Sequence, residues 1–307
     1  MSENKKISAT PIVRKFAREL GADINKIKGS ERKGRVTESD IKKYINFELN
    51  NDKKINQNIN NKNKENQFKH SDFGEIEIKE ISRVKKFAAP FLSKSWSTIP
   101  HVTHHDEIDV TEMEDFRSKL KDNYSGEKIK LTPLVFIIKA LVNTLKKFPS
   151  FNSSIDDIET GKITYKKYFH IGIAVDTPHG LMVPKIRDVN RKGIGDLSKE
   201  LIDISNKCRN LKIDKKEFYG GSITISSLGG IGGSFFTPII NYPEVAILGV
   251  SKSSKKQVYT DSDFKIRTIL PISLSYDHRI IDGAEAARFC NELKENLGKN
   301  FAYMLAL

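Results

Sequence analysis

A histidine at the end of an apolar segment is the residue of this chain best placed to do chemistry. Residues 271–289 read PISLSYDHRIIDGAEAARF, which predicts a strand that ends in Asp277, His278 and Arg279 and a helix that begins at Asp282. This junction fixes the backbone of His278 while its ring stays reachable. Because histidine titrates near neutral pH, His278 is a candidate general base.

The same residues also have structural interpretations. A single histidine at a strand end is more often structural than catalytic. Asp282 and Glu285 fit a helix N-cap with a capping box, a pattern that needs no catalysis to explain it. From the residues alone, both interpretations of the junction remain open.

The surrounding pattern predicts one mixed α/β domain over residues 74–307. Helices are predicted from a capping box at Thr111, from Thr132 and from Asp282. Strands are predicted where short apolar runs occur, at 169–175, 222–227, 244–250 and 271–276. Helices and strands interleave irregularly, which is typical of a single α/β domain.

A smaller helical piece is predicted at residues 7–44. Its first helix begins at Pro11, and an apolar stripe is predicted along it, formed by Ile12, Phe16 and Leu20. Its second helix begins near Thr37, with Asp40 as the capping-box partner. Residues 47–73 are rich in asparagine and lysine and have almost nothing to bury, so they are predicted to be a flexible linker.

Composition limits the classes of function. The net charge is +13, and residues 1–70 hold 17 Lys and Arg against 9 Asp and Glu. A basic arm could bind nucleic acid, but no interleaved aromatic residues support that, and a basic docking module with a solvated linker is favoured. No run of 18 apolar residues, secretory signal or CxxC pair occurs, so we expect no membrane span and a reduced, cytoplasmic protein.

Two other patterns resemble functional motifs without fitting them. His101, His104, His105 and Asp106 have the residue types of a metal cluster, but we expect no metal there. The segment Gly229–Gly233 is rich in glycine but lacks the Gly-Lys-Ser/Thr of a phosphate-binding loop. Cys208 falls on a helical apolar stripe and is predicted to be a core thiol.

The segment SYDHRIIDGA resembles the active-site signature of the dihydrolipoamide acyltransferase family, which chloramphenicol acetyltransferase shares in looser form. Residues 99–117, 175–189 and 237–253 resemble the same catalytic domain in the same order. The resemblance implies an α/β, chloramphenicol-acetyltransferase-like catalytic domain. It also implies that His278 deprotonates the attacking thiol, that Ser226 donates a hydrogen bond to the oxyanion, and that Asp282 supports this geometry.

The resemblance further implies thiol-to-thioester acyl transfer with coenzyme A or acetyl-CoA as substrate. Succinyl-transferring relatives tend to have threonine at the position of Ser226, and Asn-Gly-Gly follows it. This chain has Ser226, and Ser-Leu-Gly-Gly follows it. That difference favours the acetyl-transferring branch found in pyruvate dehydrogenase complexes over succinyl or branched-chain transfer. Family members form homotrimers within a larger cubic core, and each active site lies between two subunits.

Residues 7–44 resemble the peripheral subunit-binding domain of the same family. In that family the domain binds dihydrolipoamide dehydrogenase or the decarboxylase component, here pyruvate decarboxylase, through a basic patch. The matching positions are Arg14, Lys15, Arg18 and Arg35. The family usually has glycine at the position of Glu31, which is expected to alter the loop.

Alternative functions remain at this point. Family members normally begin with lipoyl domains, and we expect the lipoyl group to come from a lipoyl domain that is not present in this sequence. The lack of that domain leaves a non-catalytic scaffold possible, although a scaffold has no need of His278, Ser226 and Asp282 together. A free-standing acyltransferase of the chloramphenicol type has no need of a docking domain.

Overall fold

The computed structural model describes residues 8–47, 69–121, 131–157, 159–260 and 262–302. The chain divides into two compact units, Met1–Lys79 and Glu80–Leu307. Most of the predicted linker at 47–73 lies outside the described residues. Each unit has its own apolar core.

The described residues of the N-terminal unit include two short helices: α1 spans Pro11–Glu19 and α2 spans residues 38–47. The Thr10 hydroxyl accepts a hydrogen bond from the Val13 N–H at 3.3 Å and so caps α1. Gly21 follows in a left-handed conformation, with φ +67°, which is a common way to end a helix. The 3₁₀ turns of this unit are Ile24–Lys26, Arg32–Gly34 and His70–Asp72.

The apolar stripe predicted along α1 is wrong at two of its three positions. Ile12 is 72% and Leu20 is 47% exposed, whereas Val13 and Ala17 are buried in one cluster with Ile41 of α2. The face of α1 that packs on α2 is therefore shifted by one residue from the predicted stripe, from Ile12 to Val13. Two helices of this size bury few side chains, so only some of the apolar residues of α1 lie on the inward face.

The capping box predicted at Thr37 and Asp40 is confirmed. One carboxylate oxygen of Asp40 accepts from the Thr37 N–H at 3.0 Å, the Ser30 N–H at 3.1 Å and the Thr37 hydroxyl at 2.9 Å. These hydrogen bonds, first that of the Thr37 backbone, hold the pKa of Asp40 well below its usual range. Asp40 thus ties the loop at Ser30 to the start of α2.

Replacement of Asp40 with asparagine is expected to weaken protection of the N-terminal unit at neutral pH. Because the folded-state pKa of Asp40 is lowered, its contribution is present above the unfolded pKa, about 3.9, and is lost as pH falls further. Amide hydrogen exchange of residues 8–47 in the full chain measures this difference. A difference between wild type and variant that stays constant from pH 7 to pH 3 would contradict the prediction.

The described residues of the second unit form nine strands. They are β1 (His101–Asp109), β2 (Ser153–Asp157), β3 (Lys162–Tyr165), β4 (Ile171–Ile173), β5 (Lys185–Ile186), β6 (Ile223–Ser227), β7 (Ala246–Val250), β8 (Ser254–Thr260) and β9 (Asp263–Asp277). Seven of them form one sheet in the order β1-β9-β7-β6-β4-β5, with β8 also paired to β9, and β2 and β3 form a hairpin. Strands β4, β6 and β7 are parallel, and β9 is antiparallel to β1, β7 and β8.

In the described part of this unit, five helices accompany the sheet. They are α3 (Arg83–Thr98), α4 (Thr111–Lys119), α5 (Pro133–Lys147), α6 (Ile194–Arg209) and α7 (Gly283–Leu297). Buried residues of α5, α6 and α7 form one core with the strands, and Cys208 of α6 is buried there, as predicted. Burial raises the pKa of Cys208 to about 11 and that of Cys290 in α7 to about 12. Among the described residues, no helix is both long enough and apolar enough to cross a bilayer.

The opposite face of the sheet is polar and is partly covered by the segment 234–243. Alternate residues of β9 place the hydroxyls of Ser273 and Ser275 on this face, where they bond to residues of β1. Ile240 of the covering segment packs with Ile99 and Ile247 in a small separate cluster. This polar face therefore carries little of the apolar core.

The capping box predicted at Thr111 is wrong. The N-cap of α4 is Val110, and no side chain caps the helix. The Thr111 hydroxyl instead donates to Asp109 at 2.6 Å and accepts from the Thr268 N–H at 2.8 Å. The hydroxyl that the local pattern predicted to cap α4 is therefore bonded to β9 instead.

Two elements of the second unit do not follow from the sequence pattern. Helix α3 contains Pro90 and leaves several apolar side chains exposed, so its pattern is not that of a one-sided helix. Strand β8 is exposed on nearly every residue, and so lacks the alternation expected of a half-buried strand. The strand predicted at 169–175 is shorter in the structure, where β4 has three residues.

Candidate active site

The turn after β9 holds the backbone of His278 in line with the sheet. The His278 N–H donates to the carbonyl of Pro100 at 3.1 Å, next to β1, and the Asp277 N–H donates to Val245 at 2.8 Å, next to β7. The turn is therefore held from both neighbouring strands. A strand end followed by a helix is confirmed here as predicted.

A pair of charged side chains closes this turn. The buried carboxylate of Asp277 accepts from the Arg279 backbone N–H at 3.0 Å and from its guanidinium Nη2 at 2.6 Å and Nε at 2.9 Å. Two-pronged bonds between a carboxylate and a guanidinium fix geometry more strongly than a single contact. Asp277 and Arg279 therefore support His278, which is the structural role that the sequence indicated.

The ring of His278 is exposed, and among the described residues it has no hydrogen-bond partner. Its centroid lies 6.0 Å from that of Tyr276, whose side chain is buried. The backbone is thus fixed while both ring nitrogens stay available. This is the arrangement that a general base needs.

Asp282 caps α7. Its carboxylate accepts from the Glu285 N–H at 2.7 Å, which confirms the predicted N-cap. The reciprocal half of the capping box is absent from these contacts, because the carboxylate of Glu285 accepts from the Ser150 hydroxyl instead. Asp282 stands four residues after His278, so the cap sets where the helix begins relative to the turn.

Ser226 lies near the end of β6, on the polar face of the sheet. It is half-buried, and its hydroxyl has no hydrogen-bond partner among the described residues. Its registered neighbour on β7 is Gly249. The hydroxyl is therefore free to donate to a ligand.

One chain does not bring His278 and Ser226 together. Ser226 is level with Gly249 and Ser273, and His278 stands five residues beyond Ser273 along β9. At about 3.3 Å per residue and about 4.8 Å between strands, the two are roughly 16 Å apart along the sheet and roughly 10 Å across it. His278 and Asp282, by contrast, lie close together in the chain: His278 is in the turn after β9, and Asp282 is the N-cap of α7.

Two of the three histidines of β1 have structural contacts. His101 bonds through Nδ1 to the carbonyl of Ile99 at 2.8 Å, and its Nε2 accepts from the Ile240 N–H at 3.0 Å. His105 Nδ1 bonds to the Ser273 hydroxyl at 2.9 Å. Within the described ranges no group of three His, Cys, Asp or Glu side chains could hold a metal ion.

A buried charged cluster on the polar face has no counterpart in the sequence interpretation. Lys185 and Glu244 form an ion pair with side chains 1% exposed, and the Thr224 hydroxyl donates to Glu244 at 2.6 Å. A lysine between the apolar residues of MVPKIRDV was the signal that could have pointed to it. The cluster anchors β5 and β6 to the start of β7.

The basic residues predicted for docking are exposed in the N-terminal unit. Arg14, Lys15 and Arg18 lie on α1, and Arg35 follows the second 3₁₀ turn. Glu31 has φ −85° and pairs with Arg35 through its backbone. Any residue can adopt this conformation. Glutamate in place of the usual glycine therefore does not require the loop to change.

Comparison with known proteins identifies both units. The family model for the catalytic domain of 2-oxoacid dehydrogenases acyltransferases matches residues 73–306. The chain belongs to this acyltransferase family. An "e3 binding domain" model matches residues 7–42 of the same chain. The predicted family and the predicted order of a small helical domain and an α/β acyltransferase domain are thus confirmed.

Relatives in this family are similar to the chain over most of its length. The Cupriavidus necator dihydrolipoyllysine-residue acetyltransferase component of the pyruvate dehydrogenase complex is 47% identical over 93% of this chain. That match covers 53% of the relative. The Haemophilus influenzae component is 45% identical, and the match covers 52% of it. The chain thus spans about half the length of the curated relatives it matches.

Solved structures resemble the acyltransferase unit. One was solved to study a serine, a histidine and an asparagine in the catalytic mechanism of Azotobacter vinelandii dihydrolipoamide acetyltransferase. It is 44% identical with a TM-score of 0.74 and covers 78% of this chain and 98% of that chain. A second, with the same values, is the cubic core of the pyruvate dehydrogenase multienzyme complex.

In the Azotobacter vinelandii enzyme the serine stands 52 residues before the histidine, and the asparagine stands four residues after it. Ser226, His278 and Asp282 have the same spacing. The last position differs, because this chain has an aspartate where that enzyme has an asparagine.

Proposed function

We propose that this chain transfers an acetyl group between dihydrolipoamide and coenzyme A as the core component of a pyruvate dehydrogenase complex. The observation that carries the proposal is His278, which lies in a turn bonded to Pro100 and to Val245 while its ring stays exposed. The spacing of Ser226, His278 and Asp282 supports it, and so do the names of the relatives. The two buried thiols, with their raised pKa values, fit a cytoplasmic protein without disulfides.

In the proposed reaction, His278 takes the proton of the attacking thiol. The thiolate adds to the carbonyl carbon of the acetyl thioester, and the oxyanion accepts a hydrogen bond from the Ser226 hydroxyl. Collapse of the tetrahedral intermediate breaks the other carbon–sulfur bond, and the departing thiolate takes the proton from His278. The acetyl group passes directly between two thiols, so the protein supplies no nucleophile.

We infer that each active site combines His278 of one copy with Ser226 of another. A base and an oxyanion donor must both come within about 3 Å of one reacting group. The separation of these residues along and across the sheet of one chain is several times larger. A second copy supplies the missing partner without a change in the sheet.

The exposed apolar side chains of α3 support assembly of several copies. Phe87 is 67%, Phe91 55% and Trp96 61% exposed on this helix. Large apolar side chains grouped on a surface mark protein interfaces. We propose the homotrimer within a cubic core that the family resemblance implies, and the cubic-core relative at 44% identity fits it.

Transfer of acetyl from acetyl-CoA to free dihydrolipoamide by the purified chain tests the proposal. Appearance of both free coenzyme A and S-acetyldihydrolipoamide is the expected result. A folded, assembled protein without this activity would favour the non-catalytic scaffold. Faster transfer with succinyl-CoA or a branched-chain acyl-CoA would move the protein to another branch of the family.

We also propose that the basic patch of Arg14, Lys15, Arg18 and Arg35 binds dihydrolipoamide dehydrogenase, with pyruvate decarboxylase as the competing partner. Arginines four residues apart share one helix face and can meet carboxylates across an interface. The match of residues 7–42 to an e3 binding domain supports this choice of partner.

Binding of dihydrolipoamide dehydrogenase to the full chain is expected to weaken as salt rises, because exposed charges are screened over about 8 Å at physiological ionic strength. Arg35→Ala is expected to speed dissociation more than it slows association if the partner carboxylate becomes buried. Lys26→Ala removes the same charge elsewhere in the unit and serves as the control. Surface binding at two salt concentrations measures both rates, and binding that does not depend on salt would contradict the electrostatic account.

A further inference from the structure

An aromatic ring lies beside the strand position that faces Ser226. Phe236 belongs to the segment that covers the polar face, and its backbone N–H donates to the Ser273 hydroxyl at 3.4 Å. A Cβ added to Gly249 would lie 2.8 Å from Cζ of this ring and 3.0 Å from Cε1. The ring therefore occupies the space that any other residue at 249 would fill.

Phe236 and the hydroxyl of Ser226 share one face of the sheet. Ser226 and Gly249 are registered partners on the parallel strands β6 and β7, so their side-chain directions point to the same side. Because Cζ of the ring lies 2.8 Å from the place of a Cβ at residue 249, the ring lies about one strand spacing, roughly 5 Å, from Ser226. Phe236 is only half-buried, so part of the ring faces open space.

A second polar group on this face lacks a protein partner. Ser251 follows Gly249 by two residues, and its backbone N–H extends the ladder to Pro271 at 3.1 Å. Its hydroxyl is buried and has no hydrogen-bond partner within the described part of the chain. Buried hydroxyls are costly unless they are bonded, so this corner of the sheet is suited to hold a bound polar group.

We propose that Phe236 limits the length of the acyl group that the enzyme transfers. This inference rests on the proposed function, in which the Ser226 hydroxyl binds the carbonyl oxygen of the thioester. With that hydrogen bond at about 2.8 Å, the carbonyl carbon lies roughly 4 Å from Ser226. The acyl chain begins at this carbon, so a ring about one strand spacing away blocks chains longer than acetyl.

Gly249 also contributes to this limit on acyl length, because it makes room for the ring. Only a residue without a Cβ lets the ring sit this close to the backbone of β7. The segment that carries Phe236 is held by Ser273 on one side and by the Ile240 cluster on the other. The ring is thus a fixed wall, and a smaller side chain at 236 opens space beside Ser226.

Rates of transfer from acetyl-, propionyl- and butyryl-CoA to free dihydrolipoamide test this inference in the assembled enzyme. Phe236→Ala is expected to raise the butyryl-to-acetyl ratio of kcat/KM at least about 10-fold, since one methylene in an apolar pocket changes selectivity by about 10- to 200-fold. Phe236→Leu keeps more of the packing and is expected to give a smaller rise. Phe235→Ala is the matched control, because Phe235 packs on His105 instead of Gly249.

Ratios that stay at the wild-type value in both Phe236 variants would overturn the inference. An equal rise in Phe235→Ala would overturn it too, because the effect would then come from a loosened segment. Wild-type protein that transfers no acyl group at all would instead overturn the proposed function. Circular dichroism and sedimentation of each variant establish that the compared enzymes are folded and assembled.

Discussion

Replacement of His278 with alanine is expected to lower the turnover of acetyl transfer at least ~10²-fold, the usual loss when a general base is removed. The substitution removes a ring that is exposed and has no hydrogen-bond partner among the described residues, so the fold should tolerate it. The bonds that hold the turn, from Arg279 to the Asp277 carboxylate and from His278 N–H to Pro100, do not involve the ring. Steady-state rates with acetyl-CoA and dihydrolipoamide measure the effect.

His179→Ala is the control for loss of an imidazole, because the described hydrogen bonds of His179 are made by its backbone. Its rate should stay close to that of the wild type. A His278→Ala enzyme with full turnover would remove the proposed base from the mechanism. Unchanged thermal unfolding of His278→Ala establishes that a loss of rate is chemical.

Replacement of Ser226 with alanine is expected to lower kcat by about 10²- to 10³-fold, the loss typical of one oxyanion donor. The KM for coenzyme A should change little, because the hydrogen bond to the oxyanion forms mainly in the transition state. Ser226 is half-buried and its hydroxyl is without a protein partner in the described residues, so its removal breaks no internal bond.

Ser227→Ala is the matched control for this variant. Ser227 is the next residue of β6, points to the other side of the strand and is exposed. A change confined to KM in Ser226→Ala would show that Ser226 binds substrate instead of the oxyanion. An equal loss of kcat in Ser227→Ala would show that the strand end as a whole was disturbed.

Local signals in the sequence were sufficient for the turn that carries His278. The end of the strand, the Asp-His-Arg turn and the N-cap at Asp282 are set by residues within one short stretch, and the structure has them as predicted, although β9 begins at Asp263, eight residues before the predicted start at 271. The capping box at Thr37 is local in the same sense and is confirmed. Such features depend on backbone conformation and neighbouring side chains alone.

Features that depend on distant parts of the chain did not follow from the pattern. The Thr111 hydroxyl is used by Asp109 and Thr268, the latter more than 150 residues away, and this overrides its capping signal. The separation of His278 from Ser226 depends on the order and direction of β6, β7 and β9, which no local pattern encodes. The position of Phe236 could have been suspected, because a glycine inside an apolar strand often marks a close approach.

The central claim is that one active site takes His278 from one copy and Ser226 from another. The direct measurement mixes His278→Ala chains with Ser226→Ala chains, after the two have been unfolded and refolded together at equal amounts. Random assembly gives about a quarter of the sites a wild-type histidine and a wild-type serine, since such a site joins two different chains. The account predicts that acetyl transfer rises to about a quarter of the wild-type rate, although each variant alone is nearly inactive. Mixed assemblies that remain as inactive as either variant would place both residues in one chain and contradict the account.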